Sequence, residues 1–195
     1  MRELSPTSNF SPAIRRLHFA VAILVTTQLV IGLTMSPKHT PELFLSHQLI
    51  GLTIAALVLL HWLWLFSRER DQLAHLVPLR APALRAVGCD LRGLLHGRMP
   101  AGGPRPGLPA LIHGLGLLAL TTVAGLGTGI YVLIRLHHTH SEVGKVLSEL
   151  HVIFAWVVIV YWCGHVLLAL VHEATGDHVI ARMLKLGSGA DSGGA

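Results

Sequence analysis

The stretch "LHVIFAWVVIVYWCGHVLLALVHE", residues 150–173, decides how this chain folds. It is apolar enough and long enough to cross a bilayer, which takes about 20 residues of helix. Yet His151, His165 and His172 interrupt it, and ionisable side chains in hydrocarbon are scarce unless they are paired or line a site. Their spacing offers a reason. Fourteen residues separate His151 from His165; an α-helix rises about 21 Å over that length and returns to within about 40° of the same face. The two imidazoles therefore project to one side of the helix at two different depths.

The rest of the chain agrees with a membrane reading. Of its 195 residues 52% are hydrophobic and only 13% charged, and the mean hydropathy is +0.60. A soluble domain would need more polar surface than that. Four segments, about residues 13–35, 43–66, 108–134 and 146–172, are long enough to span. The first, "AIRRLHFAVAILVTTQLVIGLTM", exceeds the core of a signal peptide and is expected to be a permanent helix. Its Arg15-Arg16 pair lacks the rest of a twin-arginine signal. Twelve of the fifteen Lys and Arg residues fall at or before Arg16, in the connection between spans two and three, or after the last span. Positive residues stay on the cytoplasmic side, so both termini are expected there. The pI near 9.9 then reports topology and contact with anionic lipid rather than binding of nucleic acid.

These features predict an all-α fold, an integral membrane four-helix bundle. Its parts are an arm over 1–12, a transmembrane domain over 13–186 and a Gly/Ser-rich tail, "GSGADSGGA", over 187–195 that is expected to be disordered. The cytoplasmic connection, 67–107, contains "PALRAVGCDLRGLLHGR", where Leu84, Val87, Leu91, Leu94 and Leu95 recur at helical spacing with Arg85 and Arg92 elsewhere on the circumference. This pattern suits an interfacial helix, or one that docks a cytoplasmic partner.

Depth matching extends the histidine argument to other helices. Span one carries His18 near its inner end, and span two carries His47 near its outer end. His18 therefore meets the level of His165, and His47 that of His151. Each pair could supply two imidazoles to opposite faces of a haem in the core of a bundle. Coordination to iron would relieve the cost of placing a neutral imidazole in lipid, and its other ring nitrogen could reach a backbone carbonyl. Span two repeats the spacing, because His61 lies fourteen after His47, so a His61–His165 pair is sterically sensible too. Spacing alone does not choose between them. The two cysteines, Cys89 and Cys163, are expected on different levels and unpaired. Neither stands in a C-x-x-C-H motif, so any haem would be of the b type. A different class, a histidine-rich metal transporter or ion-binding membrane protein, would call for intramembrane carboxylates, and the spans hold almost none beyond Glu149 and Glu173 at their ends.

The segments "RRLHFAVAILVTTQLVIGL", "LSHQLIGLTIAALVLLHWLW" and "ELHVIFAWVVIVYWCGHVLLALVHE" resemble the first, second and fourth helices of the bacterial cytochrome b561 family, which includes the cytochrome b subunits of nickel–iron hydrogenases. The resemblance covers roughly residues 13–186. It implies a four-helix bundle with two stacked b haems that exchanges electrons with ubiquinone or menaquinone. It also implies that His18 and His165 bind the inner haem, and His47 and His151 the outer one. His61 stands where relatives usually have an arginine that pairs with a propionate, so that role is altered here. His172 and His113 fall where relatives have histidines close to the inner haem and a quinone pocket, where they could donate to propionates or shuttle quinone protons; interfacial snorkelling is an equal alternative for both. Arg15, Arg16 and Arg68 could pair with inner propionates or simply anchor the helices by charge.

On this resemblance the chain is expected to be a cytochrome of the bacterial inner membrane, passing electrons between the quinone pool and a dehydrogenase, hydrogenase or cytochrome partner. Some relatives act alone, oxidising superoxide at the outer surface and reducing quinone. Arg135 and Lys145, in the second outer loop, would attract that anion. The same loop holds His137, His138 and His140, which read as a solvated polar segment rather than a metal site. Gly32, Gly51, Gly125, Gly127 and Gly129 could admit a flat macrocycle, but close helix packing is the simpler use of small residues.

Overall fold

The computed structural model describes residues 12–68, 81–98, 107–136, 141–176 and 180. Five helices run through them: α1 (Pro12–Thr34), α2 (Pro41–Arg68), α3 (Ala81–Leu95), α4 (Leu108–Arg135) and α5 (Glu142–Ala174). Four of these, all except α3, are long and apolar enough to cross a membrane. Residues 1–11 of the arm, the tail and His137, His138 and His140 lie outside the described residues.

Local chemistry sets the ends of the helices. α2 opens on Pro41 and Glu42; proline is tolerated in a first turn that lacks amide acceptors, and the carboxylate faces the positive end of the helix dipole. The hydroxyl of Ser141 accepts from the Gly144 amide at 3.1 Å and caps α5. This cap starts the helix before the apolar run that marks it in the sequence. Gly176, at φ 90°, closes it, since glycine takes that conformation without strain. The first amide of α4, that of Leu108, donates to Asp90 Oδ2 of α3 at 2.9 Å. The short connections after α1 and α4 make the neighbouring spans antiparallel. α2 packs on α1, α4 on α2, and α5 on α4.

Few apolar side chains of the four spans are buried, Leu65 near the end of α2 among them. Val25 of α1, Ile54 and Val58 of α2 and Val158 of α5 form a cluster at mid-height. Two indole hydrogen bonds brace this waist. Trp162 Nε1 of α5 donates to Thr26 Oγ1 of α1 at 3.1 Å, and Trp62 Nε1 of α2 donates to Thr121 Oγ1 of α4 at 3.0 Å. Most other apolar side chains point outward, among them Leu33, Leu59, Leu118 and Val160, as lipid contact requires. Above and below the waist the interior is lined by imidazoles.

Candidate functional site

Histidines gather in two tiers. The upper tier lies near the end of α1 and the start of α5, and the lower tier near the start of α1 and the end of α5.

In the upper tier the structure brings His47 of α2 to His151 of α5, with ring centroids 6.2 Å apart and planes at 85°. His151 Nδ1 donates to the backbone carbonyl of Val123 in α4 at 3.1 Å. A carbonyl can only accept, so this bond fixes the tautomer and leaves Nε2 with its lone pair exposed. Gly127, one turn beyond Val123, makes the approach possible: a Cβ there would stand 3.0 Å from His151 Cε1. His47 is seated in a similar way against α1. A Cβ on Gly32 would stand 3.3 Å from His47 Cε1. The backbone carbonyl of His47 accepts from Gln28 Nε2 at 2.9 Å, and Gly51 leaves room for that amide. His47 Nδ1 and Gln28 Oε1 are buried without a hydrogen-bond partner. Buried polar atoms are nearly always satisfied, so this level of the bundle has polar capacity that the polypeptide does not use.

The lower tier is more crowded. His18 of α1 faces His165 of α5 with centroids 6.1 Å apart and planes at 61°. His165 also meets His113 of α4 at 5.4 Å and stacks on Tyr161, one turn earlier in its own helix, at 5.6 Å and 16°. His113 Nδ1 donates to the Pro109 carbonyl at 2.7 Å. His61 and His113 both stand within electrostatic reach of His18. The ring of Tyr161 occupies the space where a Cβ on Gly116 would be, so only glycine lets it cross α4 there. Beside this group an open, lipid-facing apolar groove of about 500 Å³ is lined by Ile112 of α4 and by Val160, Tyr161, His165, Leu168 and Val171 of α5.

Geometry decides which pairs could share a metal. A metal–imidazole bond is about 2 Å, and the centre of a five-membered ring with bonds near 1.35 Å lies about 1.15 Å from each atom. Two imidazoles on opposite faces of one ion therefore have centroids about 6.3 Å apart. The 6.1 Å of His18–His165 and the 6.2 Å of His47–His151 meet that requirement; the 5.4 Å of His113–His165 is too short. The interplanar angles are no obstacle, because an axial imidazole can turn about its bond to the metal. The donor sets thus fit two iron porphyrins, one to a tier. Among the described residues no three His, Cys, Asp or Glu side chains converge as a metal site of their own.

The remaining candidates are placed as follows. His172 is buried, with 7% of its surface exposed, which is not the position of a side chain reaching for the headgroups. Arg15 is half-buried and Arg16 exposed at the start of α1, and Arg68 ends α2. Lys145 is ion-paired with Glu142 at 2.7 Å. Of the glycines, Gly32 and Gly127 abut ligand-like imidazoles, Gly129 abuts Leu147, and Gly125 faces open space. Cys89 and Cys163 are free. Sequence reasoning missed Tyr161, although its position one turn before His165 puts both on one face. It also missed the Val123 carbonyl and Gln28, which no periodicity reveals.

The chain matches no curated protein and no solved structure. Residues 9–185 match the family model described as prokaryotic cytochrome b561. The match takes in all four membrane helices and both histidine tiers, and so the chain belongs to the prokaryotic cytochrome b561 family, the haem b proteins that carry electrons in bacterial membranes.

Proposed function

We propose that the protein is a di-haem cytochrome b of the bacterial inner membrane that passes electrons between a redox partner and the quinone pool, with both termini cytoplasmic. The observation that carries this reading is the presence of two imidazole pairs, at two depths, each at the separation one iron requires. His47 and His151 would hold the upper haem, and His18 and His165 the lower one. Bound haem b supplies reversible one-electron chemistry at iron.

The side chains around the pairs have separate tasks. The bond from His151 Nδ1 to the Val123 carbonyl anchors the ring and leaves Nε2 free to bind iron. The bond from His113 Nδ1 to the Pro109 carbonyl likewise anchors that ring and leaves its Nε2 as a free acceptor beside the lower pair. The apolar groove beside Tyr161 and His165 has the size and lining for the head of a lipid-soluble quinone. His61 and His113 add two imidazoles to that end, where quinone reduction would consume protons.

Between a carrier for a partner complex and a stand-alone superoxide oxidase, the upper end favours the carrier. The Lys145–Glu142 pair cancels one of the two charges that would draw an anion there. The purified protein should hold two equivalents of b haem in its reduced-minus-oxidised spectrum. A featureless spectrum, or superoxide reducing the haems of the isolated protein, would overturn the respective part of this reading.

A further inference from the structure

We propose that α3 is a docking surface for anionic lipid at the arginine-rich end of the bundle, with its leucines in the acyl region and its arginines on phosphates. This goes beyond the electron-transfer reading and does not depend on it. Four facts carry it.

First, α3 presents three separate faces. At 100° per residue, Leu84, Leu91 and Leu95 fall within about 40° of one another, and Arg85 and Arg92 lie about 80–100° to one side of Leu84. Val87 and Asp90 lie on the other side, towards the bundle. Second, the leucine stripe is open: Leu84, Leu91 and Leu95 are 55%, 48% and 86% exposed, whereas Val87 is 8% exposed. Third, Arg85, Arg92 and Arg98 are exposed, and no ion pair within the described residues neutralises them. Fourth, the depth of the helix is fixed. Asp90 Oδ2 accepts from the amide of Leu108, the first residue of a membrane span. The stripe therefore sits at the level where hydrocarbon begins, and leucines there meet lipid before they could meet a water-borne protein. An apolar stripe flanked by basic side chains at that level suits an anionic leaflet.

The contact has a structural consequence for the lower tier. The first two turns of α4, whose opening amide Asp90 caps, carry Pro109, Ile112 and His113, so lipid bound to α3 steadies one wall of the groove.

The test uses the intact haem-loaded protein in vesicles of phosphatidylcholine, alone or with one third phosphatidylglycerol. Spin labels are placed at native Cys89, in a Cys163→Ser background, and at Leu91→Cys, with both native cysteines replaced by serine. The two sites lie about 160° apart on the helix. Collision with oxygen, which concentrates in acyl chains, and with a water-soluble nickel chelate is measured at each. The expected result is an oxygen-accessible label at 91, a nickel-accessible label at 89, and deeper immersion of 91 with phosphatidylglycerol. Replacing Arg85, Arg92 and Arg98 by glutamine should weaken that response by about fivefold per arginine, the factor for one basic side chain at an anionic surface. The haem spectrum of each variant shows whether the bundle has assembled, and the Cys89 label reports on the native stripe should Leu91→Cys fail. Equal nickel access at both positions would mean that the stripe faces water and serves a protein partner. An immersed stripe indifferent to phosphatidylglycerol would remove the anionic lipid. Either result overturns the proposal.

Discussion

In the upper tier His47 and His151 are each pressed against the bare backbone of a neighbouring helix, Gly32 on one side and Gly127 on the other. In the lower tier the rings of His18, His113 and Tyr161 all crowd His165, and a groove opens beside it. Both tiers place two imidazoles at nearly the same separation, so the difference between them lies in their surroundings. A pair wedged between glycines is held in one geometry. A pair with further titratable rings and an apolar groove beside it is fitted to exchange with a mobile molecule. What this comparison teaches is that one separation can sit in two settings: a pair wedged between bare backbones above, and a pair crowded by further rings beside an apolar groove below.

The largest effect should come from removing a ligand, and it should differ between tiers. His151→Ala leaves the upper tier with only His47, so haem content should fall from two equivalents to one, measured as pyridine haemochrome per protein. His18→Ala leaves His61, which stands within electrostatic reach of His18, as a substitute partner for His165. That variant should retain part of its lower haem with an altered ligand, visible as a changed low-temperature α-band or electron paramagnetic resonance spectrum. Loss of the two haems to the same extent would break the contrast.

Much of this arrangement could be read from the sequence, and the reason is helical regularity. A fixed rise per residue converts the numbers of His18, His47, His151 and His165 into depths, and depth requires no knowledge of packing. Rotation about the helix axis is another matter. Val123 offers its carbonyl to His151, and Gln28 its amide to His47, because α4 and α1 are turned by particular amounts. Those angles come from side-chain packing between helices and leave no periodic mark in the sequence. The start of α5 was obscured for a simpler reason. Glu142 and Lys145 are polar, so the apolar run begins one turn after the helix does, and the capping by Ser141 is what reveals it.

Glycines should rank next. Gly127→Ala puts a methyl carbon 3.0 Å from His151 Cε1, and Gly32→Ala puts one 3.3 Å from His47 Cε1, while Gly125→Ala meets nothing within 4 Å. Overpacking of this kind costs about 1–3 kcal/mol. Upper-haem retention during purification should fall most in Gly127→Ala, less in Gly32→Ala and not at all in Gly125→Ala. Gly116→Ala tests the other tier, since it drives Tyr161 off α4 and thus disturbs the ring stacked on His165. Its signature should be a shifted potential of one haem in a redox titration, with the second unchanged. A shift of both would mean that the tiers are mechanically coupled and the comparison too sharp.

The smallest effect should come from the waist between the tiers, and it bears on whether they are independent. Trp162 ties α5 to α1 through Thr26, and Trp62 ties α2 to α4 through Thr121. Phenylalanine at either position keeps an aromatic ring but loses the indole N–H donor and part of its bulk. A hydrogen bond between membrane helices contributes about 0.6 kcal/mol, so each variant should melt only a little earlier and keep both haems. The two variants should nevertheless differ in kind. Trp162 joins the helices that carry His18 and His165, and stands three residues from His165, whereas Trp62 joins helices that share no imidazole pair. Trp162→Phe should therefore broaden the spectrum of the lower haem, and Trp62→Phe should leave both spectra as they were. Equal spectra in the two variants would show that the valine–isoleucine cluster at mid-height holds α1 and α5 in register without the indole bond.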